Sequence, residues 1–204
     1  MGTRGYIGIA SGNLFRGAYN HLDSYPDGLG SDAVNFALWA DQNPEKAREI
    51  ARLPIVEGQD KPSDKTLDQL KAGGFWQNVD QGDNYYAALR NCQGDFRKYL
   101  SAGMIIADES PFGSFMEDSL FCEFAYLVDL DGKTLDFYVG FQTESPSDGL
   151  FKGAQKPQDW QPEYEGEKYY YPVNRLASIP FSELSDLNSV IAKMNELAYP
   201  DDEE

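Results

Sequence analysis

The chain has 204 residues, 41% of them hydrophobic and 14% aromatic, which is enough apolar matter for one core and too much for a disordered chain. Its formal net charge of −17 argues against direct nucleic-acid binding, because phosphate contacts need clustered Lys and Arg. No apolar run reaches membrane-spanning length and Met1-Gly2-Thr3-Arg4-Gly5 opens no signal-like stretch, so the expectation is a soluble, cytoplasmic protein without a membrane partner.

An opening hairpin is predicted, with 6–10 and 14–20 flanking the turn cluster Ser11-Gly12-Asn13. A two-residue Gly12-Asn13 loop sets Tyr6 against Tyr19, Ile7 against Ala18 and Arg4 against His21; a longer loop breaks that register. After a Pro-, Asp- and Gly-rich loop, Ser31 reads as the N-cap of a helix over 32–40. Asn43-Pro44 restarts a helix, since a proline at the first helical position sacrifices no needed N–H. Short helices follow over 64–71, 84–91 and 95–100, the first closed by Gly73-Gly74 and the last by Gly103.

The strongest signal is a second hairpin over 120–143 around Asp131-Gly132. Its register puts Cys122, Phe124, Tyr126 and Val128 on one apolar face, opposite Phe141, Val139, Phe137 and Leu135. The other face mixes Phe121, Glu123, Ala125, Leu127 and Asp129 with Gln142, Gly140, Tyr138, Asp136 and Thr134. Residues 145–166 read as loop, a late strand falls within 169–179, and Ser185 reads as the cap of a closing helix to about 198. Leu187, Val190, Ile191, Met194 and Leu197 mark its buried face. The order implies an α+β fold: an antiparallel sheet of two hairpins plus a late strand, packed with several short helices and a C-terminal helix. We read 1–199 as a single domain and 200–204 as an acidic frayed tail. From Glu123 onward there are seventeen acids against six bases, so most of the negative charge belongs to the second half.

Chemically, the run Tyr19-Asn20-His21-Leu22-Asp23-Ser24-Tyr25-Pro26-Asp27-Gly28-Leu29-Gly30 stands out, because it holds the sole histidine beside a carboxylate, a hydroxyl and a glycine-rich turn into a helix. Unpaired N–H groups at such a helix start attract anions. The expected site therefore has Arg4, Tyr19, His21, Asp23, Ser24, Gly28 and Gly30 as ligand-binding residues, with His21, Asp23 and Glu123 as the acid–base candidates. The plain alternative is a hydrogen-bonded histidine beside a turn, with Asp23 and Ser24 as ordinary turn residues. A Ser24–His21–Asp23 triad is not expected, since neighbours on one extended segment do not converge.

Cys122 reads as a buried small hydrophobe, and Cys92 as the more accessible thiol. Neither has a Cys or His neighbour at metal-ligand spacing, and no metal or cofactor is expected. Asp108-Glu109 and Glu117-Asp118 read as a solvated acidic loop before a divalent-cation site. Asp129-Leu130-Asp131-Gly132 reads as the hairpin turn before a calcium loop.

Two resemblances enter on these residues. Gly2-Thr3-Arg4-Gly5 with the Tyr-x-His-x-Asp-x-Tyr-Pro run, Asp118–Phe124 and Tyr138–Gln142 together resemble a family of uncharacterised bacterial and phage proteins. That likeness implies a shared fold and supplies no activity. The opening hairpin with His-x-Asp-Ser-x-x-x-Gly resembles, more weakly, the N-terminal-nucleophile hydrolases, whose first residue must be Cys, Ser or Thr. Loss of Met1 exposes Gly2 instead, and Thr3 becomes first only after a further cleavage.

The functional expectations are therefore three. The first is a protein that binds, or hydrolyses, an anionic or nucleotide-like small molecule around His21. The second is a non-enzymatic acidic interaction or inhibitor protein, phage- or defence-related, with a basic protein partner. The third and weakest is an amidohydrolase of the N-terminal-nucleophile type.

Overall fold

A computed structural model of the chain describes residues 2–75, 82–92, 94–107 and 114–200. Asp108-Glu109 and the tail 201–204 lie outside them. In chain order the elements are β1 (Gly5–Ser11), β2 (Leu14–Asn20), α1 (Ser31–Gln42), α2 (Pro44–Ile50), β3 (Ile55–Glu57), α3 (Asp64–Ala72), α4 (Tyr85–Leu89) and α5 (Phe96–Ala102). Then come β4 (Ile105–Ala107), α6 (Ser114–Glu117), β5 (Phe124–Asp129), β6 (Thr134–Val139), β7 (Asn174–Pro180) and α7 (Leu187–Ala198). The fold is α+β.

The main sheet has the order β2-β1-β5-β6-β7. The first hairpin takes the predicted register, with Tyr6 on Tyr19 and Ile7 on Ala18, and its ladder ends at Gly5–Asn20, one pair short of Arg4 and His21. The second hairpin also holds its register, from Phe124–Val139 to Asp129–Thr134. Its strands are shorter than the sequence implied, because Asp129 and Thr134 are joined by four residues. The Asp129 carboxylate accepts from the amides of Asp131 and Gly132, and Lys133 turns left-handed. The two hairpins meet through a parallel pair, β1 on β5. A second, two-stranded parallel sheet, β3 on β4, was not foreseen. Three-residue strands carry too little alternation to be read from sequence.

Alternation along the strands builds two packing faces. Ile7, Ile9, Tyr126, Val128, Leu135 and Phe137 point into the larger core, against Val34, Ala37 and Met194 of the helices. The mixed face is covered as well: Tyr6, Ala125, Leu127 and Tyr138 pack with Met116, Val173, Phe115 and Phe151. Each large side chain buried this way contributes on the order of 1.5–3 kcal/mol relative to exposure. Cys122 belongs to this second cluster, not to the face of Phe124 as its parity implied. It lies before β5 begins, where the backbone turns through 118–121 and strand alternation no longer applies.

The helix caps correct two further expectations. Ser31 lies inside α1, and its hydroxyl donates to the Asp27 carbonyl; the cap position falls to Gly30. Asp186, not Ser185, caps α7, its carboxylate accepting from the Ser189 amide. Pro44 starts its helix as the sequence implied, and the Ser63 hydroxyl caps α3 by accepting from the Thr66 amide. Cys92 is fully buried among the helices, and burial pushes its thiol up to about 12, so it is not the accessible thiol expected. The reason is that α4 continues through Arg90–Cys92 in a tight turn that folds the sulfur inward, despite the polar neighbours.

Candidate functional site

The Tyr19–Gly30 segment leaves β2 and reverses at once, because Asp23 adopts a left-handed backbone at φ +55°. The Asp23 carbonyl then accepts from the Leu29 amide at 2.9 Å. Gly28 is required there, since a Cβ would stand 2.0 Å from that same carbonyl oxygen. Gly30 is buried against the Tyr126 ring, 3.0 Å from where its Cβ would lie. Both glycines thus serve the turn and its packing.

Ser24 is fully buried. Its hydroxyl accepts from Asn20 Nδ2 at 2.8 Å, its amide donates to Thr3 at 3.2 Å, and its carbonyl accepts from the Tyr126 hydroxyl at 3.0 Å. Asn20 also donates to the Leu22 carbonyl. Thr3, the residue that the nucleophile reading needs, is 4% exposed and held by this network.

His21, Leu22 and Asp23 are exposed. The Tyr19 hydroxyl lies 2.6 Å from His21 Nδ1, and the Tyr19 ring packs edge-on against Phe115. Arg4 points elsewhere, its guanidinium 4.7 Å from the centre of the Phe121 ring. Its backbone amide donates to Glu123 Oε1 at 3.1 Å, and the Glu123 amide donates to its carbonyl. The structure therefore brings Arg4 to Glu123 and Tyr19 to His21, and neither of the two cavities described below is lined by any of these four residues.

Beside the turn lies an open cleft of about 350 Å³, lined by Asn20, Leu22, Asp23, Asp27, Gly28, Leu29, Ser31 and Asp32. Its charged groups are three carboxylates. Asp32 is raised above the ordinary carboxylate range, first by burial and then by the Asp95 carboxylate, against the pull of Lys98 and Arg97. The amides ahead of α1 are also engaged: those of Gly28 and Gly30 donate to Tyr25, and that of Ser31 donates to Gly28. Engaged amides and surrounding carboxylates do not make an anion cradle.

The end of the sheet where β1 and β5 begin has a different character. Leu22, Tyr25, Phe121, Phe141 and Tyr199 are all exposed there. Leu22 lies over Gly2, Tyr25 and Tyr199 both flank Phe124, and Phe141 is tied to Ser119 by its amide. Phe141 does this with a left-handed backbone, an unusual cost for a bulky residue that ends exposed. Burial and the neighbouring Tyr25, Glu123 and Asp27 raise the Tyr199 hydroxyl, so acids border these rings.

Sequence reasoning missed one charged network. Asp136, 6% exposed on β6, meets Arg175 at 2.8 Å and accepts from Ser178 and Thr134. Arg175 reaches on to Asp148 at 3.1 Å. The Asp148 carboxyl is held below its usual range by the Gly149 amide and by Arg175. The readable signal was an acid opposite Leu127 in a covered strand, together with the only arginine after Arg97. Among the described residues, no group of three or more His, Cys, Asp or Glu side chains is placed to hold a metal ion, and no helix is long and apolar enough to cross a membrane.

Compared with protein-family models, curated proteins and solved structures, the chain finds no match.

Proposed function

We propose that this chain is a non-enzymatic interaction protein whose partner is a basic protein surface, met at the end of the sheet where β1 and β5 begin. The observation that carries this reading is the gathering of exposed Leu22, Tyr25, Phe121 and Tyr199 beside Asp23, Asp27 and Glu123. Aromatic anchors within a charged rim are what protein interfaces use for affinity and choice of partner. The net charge of −17 adds long-range attraction for a basic surface. The alternative, an anionic small molecule at His21, finds less support, because the adjoining cleft carries like charge.

The test captures partners from lysate on the immobilised chain at low and high salt, beside the variants Tyr25→Ser and Asp27→Lys. A basic protein held at low salt, released at high salt and lost by both variants is the expected result. Equal capture by the variants sinks the proposal. In parallel, the His21 imidazole is followed by NMR while phosphate and nucleotides are added. A saturable shift would return the site to the anion reading.

A further inference from the structure

A second recess lies on the flank of that end, built by the segment between β6 and β7. It has a volume of about 400 Å³ and is lined by Trp160, Tyr169 and Tyr170 with Glu117, Asp118, Leu120 and Lys168. Trp160 and Tyr169 meet edge to face, 5.5 Å between centroids, and Tyr171 stands edge-on behind Tyr169 at 4.9 Å. That stacking fixes the rings, so they present a preformed wall.

The rings already hold a cation from the chain itself. The Lys156 ammonium lies 3.5 Å from the centre of the Trp160 ring and 5.8 Å from that of Tyr169. An ammonium is drawn to a ring face by the ring quadrupole, most strongly with tryptophan. Glu117 and Asp118 add negative field at the same place, and it reaches Tyr169, whose hydroxyl is raised by burial, by Tyr171 and by these two acids. Lys168 on the wall and Lys156 on the Trp160 ring balance the two carboxylates, and removal of Lys156 leaves one cation against two.

We propose that this recess is a binding site for an alkylammonium group, with Trp160 and Tyr169 as the ring wall and Glu117 and Asp118 as the counter-charge. The site stands apart from the partner surface proposed above, and small molecules test it without any partner. A quaternary or substituted ammonium suits it better than a metal ion, because soft ring faces replace the oxygen ligands that a hard cation demands.

The experiment follows the Trp160 indole N–H by NMR, assigned with Trp160→Phe, while tetramethylammonium chloride is added to the intact chain. Tert-butanol, of similar shape and no charge, is the control. Lys156→Gln is run beside the wild type, since it empties the Trp160 face of the chain's own ammonium. A saturable shift with tetramethylammonium, absent with tert-butanol and at least as tight in Lys156→Gln, is expected. Trp160→Ala, checked by circular dichroism to be folded at the assay temperature, is expected to weaken binding by about tenfold or more. No saturable shift in either chain, or an equal response to tert-butanol, overturns the proposal. Choline and Nα-acetyl-lysine amide then distinguish the source: tighter choline binding assigns a free metabolite, and tighter binding of the lysine derivative assigns a protein side chain.

Discussion

The Tyr19–Gly30 turn and the Trp160–Tyr169 recess invert each other. The turn is rich in residues that do chemistry, yet its polar groups are largely committed to one another. Asn20, Ser24, Thr3 and Tyr126 close a buried network, and the amides before α1 are engaged by the turn. The recess comes from a segment that reads as featureless loop, yet it gathers Trp160 and Tyr169 beside Glu117 and Asp118, with the chain's own Lys156 over the Trp160 ring. Residue type marks what a group can do; only its hydrogen-bond partners decide whether it remains available.

The largest expected effect tests how the segment that carries the recess is pinned to the sheet. Arg175→Ala strands the buried Asp136 carboxylate and releases Asp148, and we expect a loss of about 3 kcal/mol in urea unfolding. The pH dependence has a definite sign. Asp148 has a lowered folded pKa, so its contribution is complete above the unfolded value and drains as pH falls through the folded one. The gap between Arg175→Ala and wild type should therefore narrow on strong acidification; a gap that widens contradicts the assignment.

Next comes Asn20→Ala, which leaves Ser24 Oγ and the Leu22 carbonyl without their donor. A loss of about 2 kcal/mol is expected by the same measurement. A neutral result would mean that the turn is not the committed structure described. Trp160→Ala should cost about 1 kcal/mol, the worth of its contacts with Tyr169 and Lys156, because a binding wall on the flank supports little of the fold. His21→Ala should change stability by about 0.5 kcal/mol or less, since an exposed ring on one hydroxyl contact holds little together. The smallest effect is a null. Cys92, buried and raised to about 12, should resist alkylation in the native protein at neutral pH and react only on unfolding.

The parts legible in the sequence are those written in local periodicity. Both hairpins announce their registers through turn residues and alternation, and Pro44 announces its helix. What escaped was set by partners distant along the chain. The β1–β5 pairing, the inward turn of Cys92 and the joining of Asp136 to Arg175 each depend on where another element lands. The site follows the same division. The turn at Asp23 and Gly28 could be read as a turn, but whether Arg4 faces His21 or Phe121 could not, because the ladder stops at Gly5. Trp160, Lys156 and Tyr169 have no periodic signature at all.

The parallel joint between β1 and β5 also governs how the chain reaches its shape. Arg4 and Glu123, which flank that joint, are 119 positions apart in sequence. Each hairpin can close alone within microseconds, but the centre of the sheet must wait for this distant encounter. During synthesis the first hairpin emerges with its inner edge unpaired, and it stays so until more than half of the chain has followed. The backbone of β1 is then an unpaired strand edge, and the speed of closure at Gly5–Phe124 sets how long it stays exposed.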